Sequence, residues 1–135
     1  MQILDAYKVF MDKGEYDNAL ACLKHLYKGG YEYYNLVVKF REYAPRNLLK
    51  ESYLLTAKDH FDDFMIYIEW DRPLEEKFWL PRRSKLLPIC NALQELEEGK
   101  LDELFLSCPP RIGKTTLVMM FNVWTMLRDS ERSNL

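Results

Sequence analysis

The chain is short of the features that mark several large classes of protein. Its 135 residues hold three cysteines, Cys22, Cys90 and Cys108, an odd number with no Cys-x-x-Cys pair. That spacing offers neither a disulfide framework nor a zinc site, and it predicts reduced thiols in a cytosolic compartment. No run approaches the ~20 consecutive apolar residues that a membrane-spanning helix needs. The opening segment Met1 to Phe10 sets Asp5 and Lys8 among its apolar residues, which is not the pattern of a secretory leader. A soluble chain without a membrane partner is therefore expected. Neither sign of charge is in large excess: the net charge of −2 excludes a protein that coats nucleic acid by charge alone. His25 and His60 stand far apart, and neither shares an obvious face with a Cys or carboxylate at metal-ligand spacing.

What is present is material for a core. Nine Tyr, seven Phe and three Trp, within a composition 48% hydrophobic, read as a globular chain rather than a disordered one. Met1 to about Tyr43 carries helical periodicity, broken at Lys13-Gly14 and at Gly29-Gly30. Leu36, Val37, Phe40 and Tyr43 mark a third helix, closed by Pro45. Gly14 to Leu20 resembles the middle of a tetratricopeptide unit, but only one copy is present and a single unit cannot bury its own face. A small helical hairpin is the simpler reading. Residues 1–45 are accordingly expected to form a helical region, and residues 50–135 the start of a second domain.

In that second region the spacing predicts a helix from Glu51 to Trp70, ended by Asp71-Arg72-Pro73. Phe78 to Arg83 reads as a loop or short extended piece. A helix from about Arg82 to Glu98 follows, with Pro88 inside it and Gly99 as its stop. The period then changes. Leu104-Phe105-Leu106-Ser107 is a short apolar run of the kind that makes a strand covered on both faces. Cys108 to Gly113 can continue neither strand nor helix, and Lys114 to Leu127 is helical again. The expected fold class is thus α/β: a truncated P-loop NTPase unit of strand, loop and helix, preceded by a mostly α-helical N-terminal region.

The window Cys108-Pro109-Pro110-Arg111-Ile112-Gly113-Lys114-Thr115, followed by Thr116, matches the end of the phosphate-binding pattern Gly-x-x-x-x-Gly-Lys-[Ser/Thr]. Each matching position has a physical task. Gly113 lets the backbone wrap closely round a phosphate, and successive N–H groups at the helix start favour negative charge. Lys114 brings a compact positive charge to the β- and γ-phosphates, and the Thr115 hydroxyl is a ligand for Mg²⁺. Cys108 departs from the pattern's first glycine, and Pro109 and Pro110 have no N–H, so phosphate is expected to be held from Arg111, Ile112 and Gly113 onward through Lys114, Thr115 and Thr116.

Leu104 to Thr116, Leu-Phe-Leu-Ser-Cys-Pro-Pro-Arg-Ile-Gly-Lys-Thr-Thr, resembles the phosphate loop of the large terminase subunit of tailed bacteriophages. Phe61 to Trp70, Phe78 to Arg83 and Leu96 to Leu101 resemble that motor's lead-in more loosely, so the likeness covers about Ala57 to Leu135. It implies an ATP- and Mg²⁺-dependent motor that drives double-stranded DNA into a procapsid, in the cytoplasm of the bacterial host. It also implies a homo-oligomeric ring in partnership with a portal protein and a terminase small subunit. By position, Lys114 and Arg111 take the catalytic roles, Arg111 as the arginine of this family's loop, and Thr115 takes the metal. Phe78, Arg82 and Arg83, beside Trp79, sit where such motors approach the adenine, where an aromatic or guanidinium plane stacks on a base. Core packing for Phe78 and Trp79, with a solvated helix start for the arginines, is the competing reading.

The sequence also lacks what would complete this motor. No apolar strand ends in Asp-Glu, because Asp62-Asp63 falls in a predicted helix and Asp102-Glu103 precedes the expected strand. The nuclease that normally follows is absent too. A fragment or truncated product is the expectation, one that does not hydrolyse ATP at a useful rate by itself. Two other readings stand beside it: another P-loop DNA translocase or helicase, and a helical protein-interaction module with a vestigial nucleotide loop.

Overall fold

A computed structural model of the chain describes residues 2–100 and 113–133. Among these residues all regular structure is helical: seven α-helices and one 3₁₀ turn, with no strand. The α/β expectation is overturned by this. The physical reason lies in the periodicities, since every long apolar pattern in the described residues repeats at three and four residues and one face of a helix satisfies it. The expected strand at Leu104 to Ser107, and the loop from Cys108 through Ile112, lie outside the described residues.

The chain divides into two compact units, Met1–Asp59 and His60–Leu135. The first unit contains α1 (Ile3–Asp12), α2 (Tyr16–Leu26), α3 (Tyr34–Tyr43) and α4 (Arg46–Ala57). Helices α1 and α2 pack along one another, and α4 packs on α2 and α3. Tyr7, Leu20, Leu23, Val37, Phe40 and Leu48 form its buried centre, each from the apolar stripe of its own helix. Pro45 holds Ala44 extended and so ends α3, then serves as the N-cap of α4. Arg41 ties α3 to α4: its guanidinium donates to Ser52 Oγ at 3.0 Å, to the Ser52 carbonyl at 2.8 Å and to Thr56 Oγ1 at 2.6 Å, and it lies over the Tyr53 ring. Those hydroxyls are fully buried, and the guanidinium supplies the donors that burial demands.

The single helix expected from Glu51 to Trp70 is in fact two. The Asp59 carboxylate accepts the Tyr27 hydroxyl at 3.0 Å and packs against Gly29, which turns the chain aside after α4. His60 is extended, and α5 (Phe61–Ile68) begins anew in the second unit. The Phe61 N–H donates to Gln94 Oε1 at 2.7 Å, so α5 is capped by a side chain 33 residues away. No local pattern announces such a cap.

The second unit continues through the 3₁₀ turn Leu74–Glu76 to α6 (Trp79–Glu97) and α7 (Lys114–Ser133). Helix α6 starts earlier than its sequence suggests, so the loop or extended piece read at Phe78 to Arg83 is corrected to a helix start from Trp79 onward. Pro81 is tolerated because the first-turn N–H groups have no intrahelical acceptor to lose. Pro88 stays inside the helix, and the carbonyl it leaves unmatched belongs to Ser84, which is exposed to water. Gly99, at φ 80°, ends α6: its N–H reaches the Leu96 carbonyl and that of Lys100 reaches the Glu95 carbonyl.

Both α5 and α6 pack against α7. Phe61, Phe121 and Trp124 make the aromatic centre of that packing, with Phe61 stacked on Trp124 at 5.3 Å and edge-on to Phe121 at 5.5 Å. Arg128 extends over Trp124 and pairs with Glu97 at 3.7 Å. The opposite side of α7 shows Met119, Val123, Met126 and Leu127 to solvent. Among the described residues no helix is long and apolar enough to cross a membrane.

Cys90 lies on the inner face of α6, 1% exposed. Burial pushes its thiol well above the ordinary range, and the nearby Asp62 and Asp63 carboxylates add to the rise against the opposing charge of Arg83. The thiolate is the reactive form. Cys90 is therefore expected to resist iodoacetamide at pH 8 in the folded protein and to be labelled fully in denaturant. Peptide mass spectrometry of the alkylated chain reads this directly, and native labelling of Cys90 would refute it.

Candidate nucleotide site

The site is built where α7 begins. Gly113 has φ 92°, a left-handed backbone that residues with a Cβ rarely adopt. Its carbonyl accepts the Leu117 N–H at 2.9 Å, the first bond of α7. The N–H groups of Thr115 and Thr116 come ahead of that bond, as the opening donors of any helix do, and the positive end of the helix dipole coincides with them. Lys114 is half-buried, whereas Thr115 and Thr116 are exposed. A turn of this kind, with a lysine and two hydroxyls at a helix start, has the donor set that phosphate oxygens require.

Gly113 does not stand alone. A methyl group built on it would lie 2.7 Å from Phe78 Cε2, 3.1 Å from Phe78 Cζ and 3.2 Å from Arg82 Cδ. The glycine therefore lies directly against the start of α6. Arg82 folds back on Phe78: its guanidinium is 5.0 Å from the ring centroid, and Nη1 donates to the Phe78 carbonyl at 3.0 Å. Phe78 is half-buried and Arg82 exposed. The aromatic ring, the guanidinium and the glycine turn form one wall.

Arg83, one residue further on, faces elsewhere. Its guanidinium grips Asp62 with Nε at 3.0 and 3.2 Å and Nη2 at 2.7 Å. The same Asp62 accepts the Trp79 indole N–H at 2.7 Å. Trp79 itself is fully buried and packs as a core residue. Of the residues singled out from the sequence, the structure thus brings Phe78, Arg82, Gly113 and Lys114 to one place, with Thr115 and Thr116 next to them, and turns Arg83 to an ion pair. Arg111 and Ile112 lie outside the described residues.

Two carboxylates that sequence reasoning passed over hold this wall. Glu69, at the C-terminal end of α5, is 1% exposed. Its Oε1 accepts the Phe78 N–H at 2.8 Å and the Trp79 N–H at 3.1 Å, and its Oε2 accepts the Trp79 N–H at 2.9 Å. Phe78 is the N-cap residue of α6 and makes no side-chain cap bond of its own. Glu69 takes over that task from outside the helix, with a charge that the helix N-terminus favours. A capping box announces itself by a three-residue spacing, whereas this carboxylate acts across nine and ten residues. Asp62 is the second anchor, through Trp79 and Arg83.

The residues present fit a nucleoside triphosphate: a cation and hydroxyls for the phosphates at the start of α7, and a ring with a guanidinium beside it for a base. Comparison with protein-family models, curated proteins and solved structures finds no match for this chain.

Proposed function

We propose that this chain binds Mg-ATP at the start of α7 and serves a DNA-packaging motor of the terminase large-subunit type. The observation that carries the reading is the packing of Gly113 on Phe78 and Arg82. Gly113 belongs to the stretch expected to hold phosphate, Phe78 and Arg82 to the one expected to meet a base, and the three pack together. In the proposal Gly113, Lys114, Thr115 and Thr116 hold the phosphates, with Arg111 and Ile112 preceding them. The Thr115 hydroxyl is a ligand for Mg²⁺. Phe78 and Arg82 flank the base. Lys114, with Arg111, would face the negative charge of the γ-phosphate, whose hydrolysis within the motor would supply the free energy for moving DNA. Double-stranded DNA, a portal protein and a terminase small subunit are the proposed partners, in a ring of copies within the host cytoplasm.

Titration calorimetry tests this, with wild type and Lys114→Ala compared side by side in Mg-ATP. Saturable binding by wild type, weakened at least about tenfold in the variant, is the expected outcome, since a charge-assisted contact to phosphate is lost. Wild type that takes up no nucleotide would refute the reading.

A second reading has one observation in its favour. The first unit bears an open groove of about 340 Å³ between α2 and α4, floored by Leu20 and Leu48 and rimmed by Asp17, Lys24, Asn47 and Glu51. A helical interaction module with a vestigial nucleotide loop would use such a groove and would ignore ATP.

A further inference from the structure

We infer that Glu69 is the positioning residue of the base-side wall, an inference that rests on the nucleotide reading above. A carboxylate as buried as Glu69 is tolerated only when its oxygens are matched by donors, and here the donors are two consecutive backbone N–H groups at the start of α6. Those N–H groups belong to Phe78 and Trp79. By taking both, the carboxylate fixes the backbone from which the Phe78 ring projects, and that ring is what meets Gly113. Glu69 itself bonds the backbone N–H groups of Phe78 and Trp79. It acts on the site through Phe78.

Asp62 completes the frame from the other end of α5, holding the Trp79 indole and Arg83. The two carboxylates thus clamp the first turn of α6 onto α5, with Phe78 left to face the glycine turn. A wall set in this way is in place before any ligand arrives, so binding does not have to order it. The chemistry of Glu69 also matters. A glutamine of the same shape would turn an NH₂ group toward backbone donors and lose one of the three bonds.

This reading separates the two halves of the ligand. The phosphates are held by the start of α7, while the base is met by Phe78 and Arg82, so loosening Glu69 should weaken the base contact selectively. The experiment is calorimetric titration of the full chain with Mg-ATP and, separately, with inorganic tripolyphosphate and Mg²⁺. The proteins are wild type, Glu69→Gln, Glu69→Asp, Phe78→Leu and the double variant Glu69→Gln with Phe78→Leu, each checked for folding by its circular-dichroism melt. Glu69→Gln is expected to bind ATP about tenfold more weakly while tripolyphosphate affinity stays within about twofold. Phe78→Leu should show the same selective loss. The double variant should be little worse than either single one, because both act through one contact.

A folded Glu69→Gln protein that binds both ligands like wild type, or loses both equally, overturns the inference. If that variant does not fold, Glu69→Asp decides, because it keeps the charge and shortens the reach. ATP affinity lost no more than tripolyphosphate affinity would again overturn the inference. Wild type that binds both ligands, with no selective response in any variant, leaves the nucleotide reading standing and removes only the role of Glu69. Wild type that binds neither removes both.

Discussion

Replacing Phe61 with alanine is expected to cost the second unit about 4 kcal/mol, within the range for emptying a fully buried aromatic site. Phe61 is 0% exposed and forms the aromatic joint between α5 and α7, stacked on Trp124 and edge-on to Phe121. Removing the ring leaves a cavity and also takes away two oriented aromatic contacts, each worth ~1 kcal/mol beyond burial. Phe121 and Trp124 then keep only each other, 6.0 Å apart, and α7 loses its aromatic hold on α5. Since a domain of this size has a total stability of about 5–15 kcal/mol, the loss is large enough to show as a drop in melting temperature of many degrees. Hydrogen exchange adds the location: amides of Leu117 through Arg128 should lose protection first. Phe61→Leu, which refills much of the space without the stacking, should cost about 1–2 kcal/mol. Equal melts for wild type and Phe61→Ala would show that this cluster does not hold the helix.

Gly113→Ala is the second large effect, and it separates site from scaffold. The new methyl meets a φ of 92°, which costs ~1–2 kcal/mol for any residue with a Cβ. It also meets Phe78 Cε2 at 2.7 Å, a contact that real structures do not sustain. The far side of the collision is a ring covered by the Arg82 guanidinium on a backbone that Glu69 holds, so moving it disturbs both contacts. Together these cost about 2–4 kcal/mol, and the chain must either move the start of α7 off Phe78 or flatten the turn. Both outcomes separate the phosphate side of the site from the base side. Mg-ATP binding is expected to fall below detection by calorimetry at a temperature where circular dichroism still reports a folded, helical chain. Binding that survives in Gly113→Ala would mean that the glycine turn and the wall are not one site.

How much of this site can be read without coordinates depends on the range of the interaction. The turn at Gly113-Lys114-Thr115 is a local device whose residue types follow from the backbone they must adopt, so a short motif carries it. Phe78 and Arg82 are marked only by residue type and by resemblance, and their closeness to Gly113 is a property of packing. Arg83 shows the limit. It is as basic as Arg82 and adjacent to it, but one residue is 100° around a helix, and Asp62 waits on that side. Glu69 shows it more sharply, since a caesura of nine residues separates it from the N–H groups it accepts, and no spacing rule predicts a cap at that distance.

By itself the sequence determined the helices whose apolar stripes repeat at three and four residues, their stops at Pro45 and Gly99, and the residue types of the turn that starts α7. These depend on the nearest neighbours along the chain, where sterics and short-range hydrogen bonds act. Tertiary structure alone decided that Glu51 to Trp70 is two helices, because Asp59 bonds Tyr27 and Gln94 caps Phe61. It also decided that α6 begins at Trp79, because Glu69 and Asp62 reach its first turn from α5. All regular structure among the described residues is helical, against the α/β expectation. Helix boundaries such as these rest on contacts between residues far apart in the chain, which no local spacing encodes.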